Sequence, residues 1–124
     1  MIKNIILVAI GGAIGSVFRY LIAYSNIFPN TKMHLSTMAA NLLGCFIIGF
    51  LSTYFLTKLN MQNLNLLFIT GFCGGFTTFS SFALENQKMM QTNQFLDSFV
   101  YIILSVVLGI ALVFVGQKVA HWLV

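Results

Sequence analysis

Charge is what this sequence has least of: Asp, Glu, Lys and Arg make up 6% of its 124 residues, while 59% are hydrophobic. So thin a charged surface cannot keep a soluble domain dispersed in water, which makes lipid the natural solvent. Acids are scarcer still, with Glu85 and Asp97 alone. Because proton-coupled pumps generally rely on a carboxylate embedded in the membrane, that scarcity weighs against such chemistry. The only two cysteines, Cys45 and Cys73, both lie inside apolar stretches without a paired Cys or His at ligand spacing. That pattern indicates neither a disulfide framework nor a zinc site, and it reads as two buried, inert thiols.

What is present is a set of four uncharged runs: Asn4 to Phe18 resuming after Arg19, then Met33 to Thr57, Leu59 to Leu84, and Ser98 to Gln117. Each approaches the roughly 20 residues a helix needs to cross a hydrocarbon core about 30 Å thick. The expected fold is an all-α membrane protein with helices over about 2–24, 33–57, 63–90 and 96–121, forming one transmembrane domain. The apolar start superficially looks like a signal peptide, but no small-x-small cleavage site follows, so it reads as a retained first helix. The sole proline, Pro29, falls in the turn that closes helix one.

The net charge of +4 comes from single, scattered basic residues rather than a nucleic-acid-binding cluster. In a four-span topology Lys3, Lys58 and Lys118 flank one side, and Lys32, Lys88 and the more embedded Arg19 belong to the other. An excess of Lys and Arg normally decides which side faces the cytoplasm. A balance this close implies insertion in both orientations, and hence an antiparallel homodimer. Trp122, Tyr20 and Tyr24, with His34 and His121 beside span ends, fit the aromatic belt at headgroup level.

Small residues recur at helix-contact spacing in Gly11 and Gly15, Ala40 and Gly44, Gly71 and Gly75, and Ser105 and Gly109. They argue for compact helix packing and not for chemistry. Polar groups inside the spans say more. Arg19 sits about one turn from a span end, where it either snorkels to the interface or draws anions into a vestibule. Asn41, deep in the second span, either bonds helices together or offers its amide to a permeating species.

The third span carries Gly71-Phe72-Cys73-Gly74-Gly75-Phe76-Thr77-Thr78-Phe79-Ser80-Ser81-Phe82. Adjacent glycines and four hydroxyl residues favour local unwinding, which membranes tolerate only where backbone is buried in protein or lines a cavity. Freed carbonyls there suit a hard cation, and the restarted helix presents N–H groups to anions. Phe79 and Phe82, three apart, pack on one face or turn positive ring edges towards a small anion. Tyr101 and Ser105 add an i, i+4 row of hydroxyls. Glu85, near the end of its span, reads as a membrane-edge acid, solvated or paired with Lys88.

These residues give the chain a resemblance to the CrcB/Fluc fluoride channels over essentially its whole length. Three segments carry it: Gly11-Gly12-Ala13-Ile14-Gly15-Ser16-Val17-Phe18-Arg19-Tyr20, Asn41-Leu42-Leu43-Gly44-Cys45-Phe46-Ile47-Ile48-Gly49, and Gly71 to Phe82. The resemblance implies an antiparallel, dual-topology dimer with two pores in the cell membrane, conducting fluoride passively, with a structural sodium ion at the centre. By motif position the backbone carbonyls of Gly74 and Thr77 would hold the sodium, Phe79 and Phe82 would face fluoride with their ring edges, and Asn41 would be an essential amide donor. Tyr101, Ser105 and Glu85 would lie on the polar track, with Arg19 near the aqueous entrance. Ser81 stands where the family often has Thr, and Gly109 where some relatives carry another hydroxyl.

Two other readings compete. A small multidrug-efflux antiporter shares length, four helices and dual topology, but depends on a Glu in its first helix, where this chain has no acid. A non-transporting packing subunit predicts liposomes that pass nothing.

Overall fold

A computed structural model describes residues 1–25, 27, 34–58 and 61–124. Pro29 with most of its expected turn, Lys32, the expected start of the second span at 33, and Leu59 with Asn60 lie outside the described residues. The described residues form α1 (Ile2–Tyr24), α2 (Leu35–Leu56), α3 (Gln62–Leu64), a π-helical stretch (Asn65–Cys73), α4 (Gly74–Phe76), α5 (Phe79–Gln91) and α6 (Phe95–Leu123). Asp97 lies in the first turn of α6, where an acid meets the positive end of the helix dipole.

Four helical segments are long and apolar enough to cross a membrane: α1, α2, Gln62–Gln91 taken together, and α6. Their mean hydropathies are 2.1, 1.8, 1.4 and 2.8. The third is the least apolar, and it is also the one that is interrupted. The interruption is short: Thr77 (φ −85°, ψ 155°) and Thr78 (φ −148°, ψ 116°) are extended between α4 and α5.

The glycines expected to cause the unwinding do not sit in it. Gly71 closes on α1 from the π-helical stretch, and Gly74 and Gly75 are helical, with no glycine among the described residues at positive φ. Close packing explains Gly71 and Gly75 better. A Cβ on Gly11 or Gly15 would run into the backbone of Leu67, Phe72 or Phe76, and one on Gly75 into the backbone of Gly12. Removing side chains at this seam lets α1 lie directly against the third span, the small-residue contact that drives helix association in lipid. A second seam joins α2 to α6, where Gly49 meets the backbone of Val113 and Gly116 that of Phe46 and Phe50.

The turn between α5 and α6 is held by Asn93 at φ 60°. Gln94 N–H donates to the Met89 carbonyl (2.8 Å) and Asn93 N–H to that of Met90 (3.2 Å). This is the left-handed C-terminal cap that Asn tolerates almost as well as Gly. It folds α6 back along α5 and brings residues 85–86 opposite residues 98–101.

Candidate functional site: an interrupted helix beside a groove

Interrupting a helix inside a membrane strands backbone donors and acceptors that have no water to turn to. Here side chains take them up. Asn41 of α2 donates from Nδ2 to the Thr78 carbonyl (3.1 Å) and accepts at Oδ1 from Thr78 N–H (2.7 Å). Its amide thus pairs with Thr78 as one strand residue pairs with another. Thr78 also caps α5, with its Oγ1 accepting from Ser81 N–H at 3.1 Å, the preferred use of Thr at an N-cap. On the other side of the break, Arg19 Nε donates to the Gly75 carbonyl (3.1 Å). Rather than only snorkelling, Arg19 reaches from α1 into the third span.

Two carbonyls lose their helical donors through these exchanges. In a continuous helix Thr78 N–H would serve Gly74, and Ser81 N–H would serve Thr77; here they go to Asn41 and to Thr78 Oγ1. Gly74 and Thr77, the two residues the resemblance nominates for a cation, are thus among the residues whose carbonyls the break deprives of a helical donor.

A groove of about 630 Å³ runs along this break. Its walls include Asn41, Gly74, Thr77, Phe79, Phe82 and Ser105, together with both cysteines. Phe79 is 79% exposed, so its ring has no enclosing neighbours within the chain. It stands 5.8 Å from Phe82, centroid to centroid, at 43°. The Ser105 hydroxyl is buried yet has no hydrogen-bond partner among the described residues.

Three predicted residues lie off this groove. Arg19 and Glu85 border a separate cavity of about 280 Å³ with Thr37, Thr78 and Ser81. Tyr101 is fully buried, its ring 5.1 Å from that of Phe82. Glu85 connects them, though not through Lys88 as its i, i+3 spacing invited: it accepts from Thr37 Oγ1 (2.5 Å) and from Tyr101 OH (2.8 Å). His34 Nδ1 lies 3.8 Å from the same carboxylate. Phe82 and Thr78 bridge the two regions, since Phe82 walls the groove and packs on Tyr101, and Thr78 borders both cavities.

Thr37 and Thr78 were missed as individual contributors. Thr37 precedes Asn41 by four residues, so both face the third span from α2; that polar i, i+4 pair in an apolar helix was the available signal. Thr78 followed by Phe-Ser-Ser has the form of a helix start, and its capping role was readable on that ground.

Four spans, one of them interrupted and spliced by polar side chains from two others, define a small polytopic membrane protein. Comparison with known proteins gives the family. The family model described as CrcB-like protein, Camphor Resistance (CrcB), matches residues 6–117, and the chain belongs to that family. A relative from Azobacteroides pseudotrichonymphae named fluoride-specific ion channel FluC is 43% identical over 123 residues, covering 94% of each chain. Relatives of the same name from Flavobacterium psychrophilum (42%, 95% of this chain and 97% of the relative) and Chlorobaculum tepidum (43%, 97% and 96%) align as completely.

Proposed function

We propose that this chain is a fluoride-selective ion channel of the cell membrane, passing cytoplasmic fluoride outward down its electrochemical gradient and so lowering its toxicity. The observation that carries the reading is the groove beside the interrupted third span, which Asn41, Ser105, Phe79 and Phe82 line. Fluoride is small and strongly hydrated, so a path must replace water with other donors. Ser105 has an uncommitted hydroxyl, and Asn41 keeps one amide N–H after bonding to Thr78. The ring edges of Phe79 and Phe82 add partial positive charge without strong binding. Tyr101 is committed to Glu85, so its hydroxyl orients the carboxylate before it serves the ion.

The assembly that fits is an antiparallel homodimer. A glycine at a helical position costs about 1 kcal/mol relative to Ala, and Gly74 has no neighbour in its own chain that a Cβ would touch. Its exposure beside the 79%-exposed Phe79 is accounted for by a second copy closing the groove. Gly74 and Thr77 carbonyls from two copies supply four oxygens, the hard donor set that a sodium ion takes. Bound there, the ion would neutralise the convergent carbonyl dipoles and hold the two breaks together.

The test is release of fluoride from liposomes containing the purified protein, with potassium permeability supplied and no pH gradient. Rapid fluoride release with chloride retained is expected. Equal release of both ions would remove selectivity, and release only under a pH gradient would replace the channel with a coupled antiporter.

A further inference from the structure

Two polar residues with no assigned part in the ion path are the most completely buried polar pair among the described residues: Asn86 is 5% exposed and Ser98 0%. Neither borders the groove or the second cavity. Ser98 Oγ on α6 donates to Asn86 Oδ1 (2.8 Å), and Asn86 Nδ2 donates to the Phe82 carbonyl one turn back on α5 (2.8 Å). The relay therefore ends on the backbone of a groove phenylalanine.

We propose that Asn86 and Ser98 are positioning residues for Phe82, fixing where its ring edge stands in the ion path. This rests on the reading of Phe82 as part of that path. The geometry has the form of two adjacent ties between α5 and α6. Glu85 with Tyr101 places the tyrosine ring, and Asn86 with Ser98 places the Phe82 backbone against the helix that carries that ring. The Phe82 ring then lies between Tyr101 at 5.1 Å and Phe79 at 5.8 Å. Burial of the amide and hydroxyl is tolerable only while each is satisfied, so the pair has one stable arrangement. A site that recognises an ion through ring edges needs its groups held to about 0.5 Å by supporting contacts. The relay supplies that support at the one aromatic shared by groove and tyrosine.

Removing the hydroxyl leaves Asn86 Oδ1 unpaired and frees the amide to turn away from the Phe82 carbonyl. The experiment places 4-fluorophenylalanine at position 82, and as a control at position 72, whose ring packs instead on Phe18 and Phe76. Fluorine resonances are recorded for the whole protein with and without Ser98→Ala. A shift or broadening confined to position 82 is expected, together with a several-fold fall in fluoride release from liposomes at unchanged folded yield. Asn86→Ala, which removes the relay at its centre without adding bulk at this buried position, should displace the same resonance. An unmoved position 82 resonance in both variants, or equal changes at 72 and 82, would overturn the proposal. Should the unsubstituted protein release no fluoride, the channel reading fails, and the position 82 resonance still decides whether the relay places the ring.

Discussion

Asn41 and Thr78 exchange two hydrogen bonds, side-chain amide to backbone peptide, so that one residue of α2 completes the backbone of the third span where its own helix stops. The pairing gives Asn41 a structural duty beside any contact with an ion. Substitutions at this position separate the two.

Asn41→Asp keeps an acceptor for Thr78 N–H but sets a carboxylate oxygen against the Thr78 carbonyl. Asn41→Leu strands both backbone groups, each at about 1–3 kcal/mol. Both variants should unfold at lower temperature in detergent. Fluoride release from liposomes should fall in the folded fraction of both. Full release by Asn41→Leu would dismiss the amide as a donor to the ion.

Ser105→Ala should split stability from conduction. Because the Ser105 hydroxyl is buried and unpartnered, deleting it removes a desolvation cost of about 1–3 kcal/mol and leaves thermal stability equal or higher. Fluoride release should nonetheless slow. A variant that is less stable and conducts normally would contradict both halves of the expectation.

Gly74→Ala and Gly75→Ala are neighbours with opposite expected outcomes. A methyl at Gly75 collides with the Gly12 backbone of α1, whereas one at Gly74 meets nothing in the chain. Gly75→Ala should reduce folded yield, since overpacking costs about 1–3 kcal/mol. Gly74→Ala should fold but weaken the proposed dimer towards monomer, measured by light scattering in detergent. A Gly74→Ala protein that remains fully dimeric would place the second copy elsewhere.

Glu85→Gln retains an acceptor for one of the two hydroxyls that Glu85 now holds and loses the charge facing His34. A channel should keep releasing fluoride without a pH gradient, at an altered rate. Complete loss, coupled to loss of proton flux in a pH-dye assay, would identify Glu85 as a coupling carboxylate.

Much of the fold was legible because lipid imposes strong rules: uncharged runs near 20 residues announce spans, and adjacent glycines followed by four hydroxyl residues point to an interrupted one. The location and cause of the interruption were less so. Gly74 and Gly75 suggested loose backbone, yet Gly75 serves the approach of α1, and the chain opens at Thr77 and Thr78, where Asn41 compensates from 37 residues away. That compensation is tertiary and leaves no local trace. For the same reason helical spacing offers Glu85 only solvent or Lys88, while Thr37 and Tyr101, which bond to it, arrive from other helices. Asn86 and Ser98 were invisible until the Asn93 turn laid α6 along α5.

The third span borrows from both of its predecessors: Arg19 of α1 holds the carbonyl before the opening, and Asn41 of α2 holds the peptide within it. Pulling either helix away would hand bare peptide groups to hydrocarbon, so resistance to disassembly is concentrated at one depth in the bilayer. Partial unzipping of this bundle should therefore begin from the membrane surfaces and stall at that level, leaving a three-helix remnant knotted around Thr78 as the last part to come undone.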